Sequence, residues 1–323
     1  MSLTPLFLVT GGAGFIGSNL AEELIRRGAR VRIADNFATG FRENLEEIGE
    51  GFDFMEADLS IPDMASRAVE GVEAVFHQAA LPSVPRSVAN PLETHQACVN
   101  ATFNLLTAAR DAGVRRFIYA ASSSAYGDQP ILPKVETMRP EPLSPYAAAK
   151  LAGEHYCAVF YRVYGLETLS LRYFNVFGPR QNPSSQYSGV ISRFIDAFMK
   201  GIRPVIYGDG QQSRDFTYVS NVVDANIKAL DTNFGLGEAI NVANGERVSL
   251  LELYDVLRRI TGREDLDIDF QPERKGDVKH SQADNSLARK YLGYEKLVGL
   301  EDGLRKTIEW WKSSRFAVDV TNA

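Results

Sequence analysis

A short apolar segment that runs into clustered glycines constrains the fold of this chain more than any other stretch. Residues 6–10 are followed at once by Gly11, Gly12, Gly14 and Gly17, and a helical pattern begins there. A buried strand that leads through glycines into a helix is typical of a phosphate-binding βα turn. The missing side chains let backbone N–H groups and the helix N-terminus approach a pyrophosphate. Both G-x-G-x-x-G, starting at Gly12, and G-x-x-G-x-x-G, starting at Gly11, fit this spacing.

An acidic residue at the end of the next predicted strand indicates which dinucleotide the turn would bind. The first helix ends at Gly28, and a strand over residues 31–34 leads to Asp35, 18 residues beyond Gly17. A carboxylate near this spacing hydrogen-bonds the ribose hydroxyls of NAD and repels the 2′-phosphate of NADP. We therefore expect NAD as the cofactor. The alternative is a tight βα turn that binds nothing.

The composition fits a globular chain with one large α/β domain and a smaller lobe. Of its 323 residues, 45% are hydrophobic and 24% are charged, and the length exceeds that of a typical single core. The net charge of −6 and the lack of a basic tract argue against nucleic acid as a partner. We expect a cytoplasmic protein without a membrane span or signal peptide. The two cysteines, Cys98 and Cys157, have neither metal-ligand nor disulfide spacing, so no metal site is expected.

Further apolar segments predict strands that alternate with helices. They cover residues 52–56, 74–77, 117–121 and 169–173. The alternation is typical of an α/β protein with a doubly wound, mostly parallel sheet of the Rossmann type. Because the alternation breaks up after Pro179, we predict a nucleotide-binding domain over residues 1–179, with a return segment near 214–243. A smaller α/β substrate-binding lobe would then cover residues 180–323.

Small or polar residues follow most of these strands, at the edge where ligands bind in such sheets. They are Asp58 and Leu59, Ala79 and Ala80, the serines at 122, 123 and 124, and Asn175. An adenine amine is one partner for Asp58, and a turn or N-cap role is an equally good interpretation. We interpret His77 as a hydrogen-bonded histidine at a strand end and assign it no chemistry.

A well-marked helix carries a tyrosine and a lysine one turn apart. Ser144 is a good N-cap, Pro145 suits the first helical position, and Gly165 ends the helix. Tyr146 and Lys150 have i, i+4 spacing and therefore lie on one helical face. This spacing alone is common on protein surfaces. Beside a serine cluster and a dinucleotide turn, it indicates a catalytic pair.

Together these segments resemble the extended short-chain dehydrogenase/reductase family over nearly the whole chain. The motifs that match in order are residues 10–17 (TGGAGFIG), Asp35-Asn36, Asp58, the three serines with Tyr126-Gly127-Asp128, Tyr146 with Lys150, residues 173–179 (YFNVFGP) and Arg214-Asp215-Phe216. Within that family, the chain resembles the nucleotide-sugar 4-epimerases.

The resemblance implies bound NAD and a set of contacts to it. These contacts are Gly11, Gly14, Phe15, Ile16, Gly17, Asp35, Asn36, Asp58, Leu59, Ala79, Ala80, Asn100, Tyr146, Lys150 and Tyr173. It also implies that Tyr146 takes the proton of the sugar 4-hydroxyl, directly or through Ser122, while the C4 hydride passes to NAD and later returns. Because a free tyrosine has a pKa of about 10, we expect the Lys150 ammonium and the nicotinamide ring to favour the phenolate.

A UDP-sugar site is implied in the same way. Its residues would be Ser83, Arg86, Ser122, Ser123, Ser124, Tyr146, Asn175, Gly189, Val190, Tyr207, Arg214, Arg274, Asp277 and Ser281. Dehydratases and decarboxylases of the family carry acids where this chain has Ser123 and Ser124. Hydroxyls at these positions leave the keto sugar no evident route except reduction, which indicates an epimerase.

Two segments bear on the identity of the sugar. The loop at residues 81–87 resembles that of epimerases acting on N-acetylated sugars, and Ser281 stands where a bulky tyrosine restricts some relatives to unsubstituted sugars. We therefore expect UDP-N-acetylglucosamine and UDP-glucose to be interconverted with their 4-epimers; Ser281 could instead be a plain loop residue. The alternatives are a UDP-glucose 4-epimerase with little acetamido preference, a UDP-glucuronate 4-epimerase, and a non-catalytic nucleotide-binding regulator.

Two helices, predicted near residues 93–112 and 144–164, carry apolar side chains on more than one face. These side chains include Leu105, Leu106, Leu151, Val159 and Phe160. Since the equivalent helices pair in the family, we predict a homodimer. The first of these helices also contains Asn100, whose amide we expect to turn inward and support the site.

Overall fold

The computed structural model describes residues 4–183, 189–273, 279–314 and 316. Its strands are β1 (Leu6–Thr10), β2 (Arg30–Asp35), β3 (Phe52–Glu56), β4 (Ala74–His77), β5 (Arg116–Ser122), β6 (Glu167–Tyr173), β7 (Val176–Phe177), β8 (Val205–Tyr207), β9 (Ser213–Arg214), β10 (Thr217–Tyr218), β11 (Ala239–Val242), β12 (Val248–Ser249) and β13 (Asp269–Gln271). Its helices are α1 (Phe15–Arg26), α2 (Arg42–Ile48), α3 (Pro62–Ala68), α4 (Val84–Ala89), α5 (Pro91–His95), α6 (Ala101–Asp111), α7 (Pro145–Tyr164), α8 (Val190–Lys200), α9 (Val219–Asp231), α10 (Leu250–Thr261), α11 (Ser286–Leu292) and α12 (Leu300–Ser313).

Seven strands form one central sheet in the order β11-β6-β5-β4-β1-β2-β3. Every pairing in it is parallel, so the predicted doubly wound sheet is confirmed. Thr10 pairs with Ala34 on one side and with His77 on the other, which brings the carboxyl ends of β1, β2 and β4 to the same level. The strand order changes direction at β1, and ligands bind at such a switch point in open α/β sheets.

The sheet buries both of its faces, as its continuous apolar strands require. Along β1, Phe7 and Val9 join the core on one side, and Leu6 and Leu8 join the core on the other. Helices α1 and α9 cover the first side, and α3, α6 and α7 cover the second.

The chain beyond β6 builds three small sheets and several helices. β7 pairs with β10, β8 with β13, and β9 with β12. Side chains of α8 and α10, including Phe194, Phe198 and Leu253, belong to the same core cluster as the α1 face of the large sheet. β11 pairs with β6, so residues 239–242 return to the large sheet as an edge strand.

The helix predicted over residues 93–112 contains a break. It is formed by α5, a π-helical turn over Gln96–Asn100, and α6. The wider turn changes the direction of the side chains that follow it. Cys98 is buried and Ala97 and Ala101 line the main cavity, but Asn100 is exposed. The expectation of an inward Asn100 amide is therefore wrong.

The catalytic-pair helix begins and ends as predicted. Ser144 caps α7 by accepting a hydrogen bond from the Ala147 amide at 3.1 Å, Pro145 is its first residue, and Gly165 adopts a left-handed conformation at its end. In the part of the chain that the structure describes, no helix has the length and apolar character needed to cross a membrane.

Candidate active site

A cavity of about 840 Å³ lies along the carboxyl ends of the central strands. Most of the residues predicted to contact the cofactor line it: Gly11, Gly14, Phe15, Ile16, Gly17, Asp35, Asn36, Asp58, Leu59, Ala79, Ala80, Tyr146, Lys150 and Tyr173. Ser83, Arg86, Ser122, Asn175 and Gly189, from the predicted sugar site, line the same cavity. The expected cofactor and sugar residues therefore meet in one space.

The glycine turn has no room for side chains. Gly11 has φ +65°, and a Cβ there would lie 2.8 Å from the Cα of Ala79; a Cβ on Gly17 would lie 2.2 Å from the Gly11 carbonyl oxygen. Gly14 is the N-cap of α1 and has no side chain to cap the helix, which leaves the first turn accessible to an anion. Gly12 packs against Ile33 instead. The register that faces the cavity is thus Gly11, Gly14 and Gly17.

Asp35 lies beside this turn at the end of β2. One carboxylate oxygen accepts a hydrogen bond from the Ala13 amide at 3.0 Å, and the other accepts one from the Phe37 amide at 2.7 Å. Burial raises the pKa of Asp35, while these backbone donors favour the charged form. The acid is therefore fixed to the phosphate-binding turn, and its remaining acceptor positions are available to a ribose.

Ser122, Tyr146 and Lys150 meet where β5 ends and α7 begins. Ser122 is the last residue of β5, and its hydroxyl is hydrogen-bonded to Tyr146 and accepts a 2.8 Å hydrogen bond from the Ser124 hydroxyl. The Lys150 ammonium donates to the Ala120 carbonyl oxygen at 2.8 Å. These contacts fix the serine and the lysine at the strand end that lines the cavity.

The protonation of Tyr146 differs from the sequence expectation. Burial raises the pKa of this phenol, and the hydrogen bond with Ser122 only opposes that effect. The Lys150 ammonium is directed to Ala120 and lies 5.0 Å from the ring centre of Tyr119. The chain's own groups therefore keep Tyr146 protonated at neutral pH, and the predicted lowering by Lys150 is not found.

His77 is a fully buried histidine with both ring nitrogens hydrogen-bonded. Nδ1 lies 2.7 Å from the Thr10 hydroxyl oxygen, and Nε2 lies 2.9 Å from that of Thr102. Since Thr102 donates its proton to the Cys98 carbonyl oxygen, it accepts from Nε2–H, and Thr10 then donates to Nδ1. Burial lowers the pKa of His77 to about 3. The imidazole is neutral and structural, and the Thr10 oxygen also holds the Ala79 amide at 3.2 Å.

A second network fixes Tyr173 in the cavity wall. Its hydroxyl lies 3.2 Å from Oε1 of Gln78 and accepts a 2.8 Å hydrogen bond from the Asn226 amide. The Gln78 amide donates to Asn226 Oδ1 at 3.0 Å. Burial raises the pKa of Tyr173 to about 12. This tyrosine is therefore held as a neutral phenol by Gln78, which follows β4, and by Asn226 of α9.

A second cavity of about 240 Å³ adjoins the first. The two share Asn175, Val176, Gln181 and Gly189. The remaining predicted diphosphate and base contacts within the described chain, Val190, Tyr207 and Arg214, line this second cavity. Arg274 and Asp277 lie outside the described residues.

Asp215 joins the backbone segments around the second cavity. Its carboxylate is fully buried and accepts hydrogen bonds from the backbone amides of Asn244, Gly245 and Ala283 at 3.0, 3.0 and 3.1 Å. Its carbonyl oxygen accepts from the Asn175 amide side chain at 3.2 Å. Asn175, which has φ +34°, is thereby held between the two cavities.

Three serines predicted for the sugar site are not brought to either cavity. Ser123 and Ser124 are half-buried in a 3₁₀ turn, where Ser124 hydrogen-bonds Ser122 instead of facing the cavity. The Ser281 amide donates to the Ser213 carbonyl oxygen at 3.0 Å. Ser281 is not among the residues that line either cavity, and its role as a gate stays a prediction.

Comparison with known proteins adds to this geometry. The model of the NAD dependent epimerase/dehydratase family matches residues 7–243. The chain belongs to this family. A UDP-glucose 4-epimerase of Mycolicibacterium smegmatis is 39% identical over 310 residues, which cover 95% of this chain and 98% of that protein.

Solved structures of epimerases share the fold over their whole length. The UDP-glucose 4-epimerase of Thermotoga maritima, solved with UDP-glucose, is 38% identical with a TM-score of 0.91, covering 95% of this chain and 99% of that one. The UDP-N-acetylglucosamine 4-epimerase of Methanobrevibacter ruminantium M1, solved with UDP-N-acetylmuramic acid, is 38% identical with a TM-score of 0.90, covering 97% and 99%. The UDP-glucuronic acid 4-epimerase of Bacillus cereus, solved with UDP-glucuronic acid and NAD, is 32% identical with a TM-score of 0.88, covering 95% and 99%.

The residues present fit the cofactor of this NAD-dependent family. The glycine turn leaves space for a pyrophosphate at the start of α1, and Asp35 lies where a ribose would follow. When bound, NAD would supply a hydride acceptor beside the catalytic residues and a positive ring that favours the phenolate of Tyr146.

Sequence reasoning missed several residues of this epimerase-family site. Arg180 lines the main cavity, is buried, and pairs with Glu22 and Glu47 at 2.9 Å each. Gln78 and Asn226 hold Tyr173 as described. These partners are 53 to 158 residues apart along the chain, so no local pattern could reveal them.

Proposed function

We propose that the chain is a UDP-sugar 4-epimerase that inverts C4 through a transient 4-keto sugar with retained NAD. The observation that carries the proposal is the convergence of Ser122, Tyr146 and Lys150 on the same cavity as the glycine turn and Asp35. A dinucleotide that starts at the turn would end at the catalytic residues. The adjoining second cavity, with Tyr207 and Arg214, offers a place for the nucleoside diphosphate of the substrate.

Tyr146 is the proposed base. Its phenol is at the cavity wall and is hydrogen-bonded to Ser122, so a sugar 4-hydroxyl could pass its proton to Tyr146 directly or through the serine. The Ser122 hydroxyl would then donate to the C4 oxygen as its carbonyl character develops. In the return step the same two groups would give the proton back, and the net redox change is zero.

Lys150 has a positioning role in this mechanism. It is buried, one helical turn from Tyr146, and donates to Ala120 in the strand that delivers Ser122. Burial lowers the pKa of Lys150, while its contact with a backbone carbonyl favours the charged form. It thus ties α7 to β5 and keeps the phenol and the serine within reach of one substrate oxygen.

For the sugar, we propose UDP-N-acetylglucosamine together with UDP-glucose. The loop after β4 supports this choice, because Leu81, Pro82 and Ser83 line the main cavity and that loop resembles those of N-acetyl-sugar epimerases. The two related structures that contain UDP-glucose and UDP-N-acetylmuramic acid are equally similar to this chain at 38% identity. UDP-N-acetylglucosamine and UDP-glucose therefore both have to be assayed.

We further propose that the boundary after Pro179 separates the NAD-binding part of the chain from the UDP-sugar-binding part.

We also propose that the protein is a homodimer. Of the apolar residues named from the sequence, Leu105, Leu106 and Phe160 are buried within the chain and Val159 is exposed. Tyr156 and Val163 are also exposed, on the same face of α7 as Val159, and Phe103 of α6 packs beside Tyr156. The double variant Val159→Lys/Val163→Lys should sediment as a monomer. The control Ile202→Lys, which lies in the other lobe, should sediment as a dimer.

The experiment that tests the proposed function uses the protein without added cofactor. UDP-N-acetylglucosamine, UDP-glucose and UDP-glucuronate are incubated with it separately, and the 4-epimers are resolved by chromatography. We expect the first two to reach equilibrium with their epimers. Failure with all three, in protein that contains NAD, would favour the non-catalytic regulator.

A further inference from the structure

An ion pair between Arg86 and Glu93 forms part of the wall of the main cavity. Arg86 Nε lies 3.2 Å from one carboxylate oxygen of Glu93, and Nη2 lies 2.5 Å from the other. The Asn90 amide also donates to Glu93 at 3.3 Å. The carboxylate therefore accepts two hydrogen bonds from one edge of the planar guanidinium and has a defined orientation.

The pair lies on the side of the cavity that carries the catalytic residues. Arg86 belongs to α4 and Glu93 to α5, and both helices pack against α7, which holds Tyr146. The segment that leads into α4 lines the cavity through Leu81 and Ser83. A sugar presented to Tyr146 would thus lie near the ion pair. The glycine turn follows β1, the strand beside β4.

The charge state of the pair follows from its contacts. Hydrogen bonding to Arg86 is the largest effect on Glu93 and lowers the pKa of its carboxyl group. Both groups are charged at neutral pH and their charges cancel. Arg86 uses on Glu93 the forked geometry with which a guanidinium would bind a carboxylate on a substrate.

We propose that Glu93 is a specificity-determining residue that excludes sugars with a carboxylate at C6. It occupies the edge of Arg86 that would bind a uronate, and it neutralises the positive charge that would attract one. Neutral sugars, with a hydroxymethyl group at C6 and a hydroxyl or acetamido group at C2, do not depend on that guanidinium. This inference rests on the proposed function and selects among its substrates: it makes the chain an epimerase of neutral UDP-sugars.

The test compares substrate preference in the wild type and in Glu93→Gln. The quantity is the ratio of kcat/KM for UDP-glucuronate to kcat/KM for UDP-glucose. Removing the negative charge should raise this ratio at least tenfold, and replacing Arg86 as well, in Arg86→Gln/Glu93→Gln, should cancel the gain. Glu70→Gln, at an exposed acid outside the cavity, should leave the ratio unchanged. A Glu93→Gln ratio within twofold of wild type, in folded protein that retains NAD, overturns the proposal.

Binding measurements separate this proposal from the proposed function. Calorimetry gives the Kd of UDP-glucuronate and of UDP-glucose for each variant, whether or not the protein turns them over. A tenfold gain in relative uronate affinity in Glu93→Gln supports the role of Glu93 even if no UDP-sugar is epimerised. Should Glu93→Gln not fold, Arg86→Gln keeps the acid and removes its counter-charge, so uronate binding relative to UDP-glucose should fall. An unchanged or increased relative affinity in Arg86→Gln contradicts the proposal.

Discussion

The cofactor end and the substrate end of the main cavity are built in different ways. At the cofactor end, one continuous segment, residues 6–35, supplies the strand, the glycine turn, the helix and the acid, and its fit depends on backbone atoms. At the substrate end, where the main cavity meets the second one, Asn175 and Gly189 line both cavities and Tyr207 and Arg214 line the second. Asp215, next to Arg214, joins the segment of Asn175 to residues 244, 245 and 283. The first end is therefore set by local sequence, and the second depends on long-range contacts.

The largest expected effect is at the junction of the two ends. Tyr146→Phe removes the proton acceptor and keeps the ring, so kcat should fall by roughly 10²–10⁴-fold, the range of general-base catalysis. NAD content and melting temperature should stay close to wild type. Tyr156→Phe, on the exposed face of the same helix, is the matched control and should retain full activity. A loss of only a few-fold in Tyr146→Phe would place the base elsewhere.

A pH experiment tests the buried histidine behind the cofactor end. His77 has a folded-state pKa of about 3 against an ordinary value of 6.5, so only the unfolded chain takes up its proton between these pH values. The stabilisation is complete above pH 6.5 and is lost as the pH falls towards 3, by up to about 5 kcal/mol in the free energy of unfolding. Denaturant titrations of wild type and His77→Gln across this range should show the steeper loss in wild type. Parallel curves would mean that His77 is not held neutral.

Asp215 is the corresponding test at the substrate end. Asp215→Asn keeps the volume and removes one acceptor oxygen, which leaves a buried backbone N–H without a partner and should lower the free energy of unfolding by roughly 1–3 kcal/mol. Binding of UDP should weaken more than retention of NAD, because Asn175 and Arg214, which Asp215 contacts or adjoins, line the second cavity. Asp231→Asn, at an exposed helix end, is the control. Equal losses of UDP and NAD binding would show that the two ends are not separately built.

The smallest effect separates steric fit from backbone strain at the cofactor end. Gly11 and Gly28 both have positive φ, +65° and +82°, but only a Cβ on Gly11 would meet other atoms. Alanine at either position incurs the left-handed strain of roughly 1–2 kcal/mol, whereas Gly11→Ala also pushes on the Ala79 backbone. Measured after denaturation, NAD content should drop in Gly11→Ala and remain in Gly28→Ala. Full NAD content in both variants would remove the steric argument for the turn.

The central sheet could be predicted because its strands are continuous apolar segments. β1, β3 and β4 have the predicted bounds, and β2, β5 and β6 differ by a residue or two. Helix α7 was also located closely, since it has a serine cap, an early proline and a terminal glycine. Local sequence is sufficient for elements that are capped and buried in this way.

Features that depend on tertiary contacts were missed or misplaced. A π-helical turn leaves Asn100 exposed instead of inward, and Ser281 pairs with Ser213 outside the linings of both cavities. The protonation of Tyr146 follows from its burial, which a spacing of four residues from Lys150 does not reveal. The sequence analysis placed Glu93 at the start of one long helix, whereas it lies in the separate short helix α5.

The most direct measurement of the central claim follows the atom bound to C4. UDP-glucose labelled with deuterium at C4 is incubated with the purified protein without added NAD, and the UDP-galactose formed is examined by mass spectrometry and NMR. If both ends of the cavity act on one retained cofactor, the deuterium leaves C4 and returns to C4 of the same sugar, so the product keeps the label. Loss of the label to solvent, or epimerisation that requires added NAD, would contradict the account.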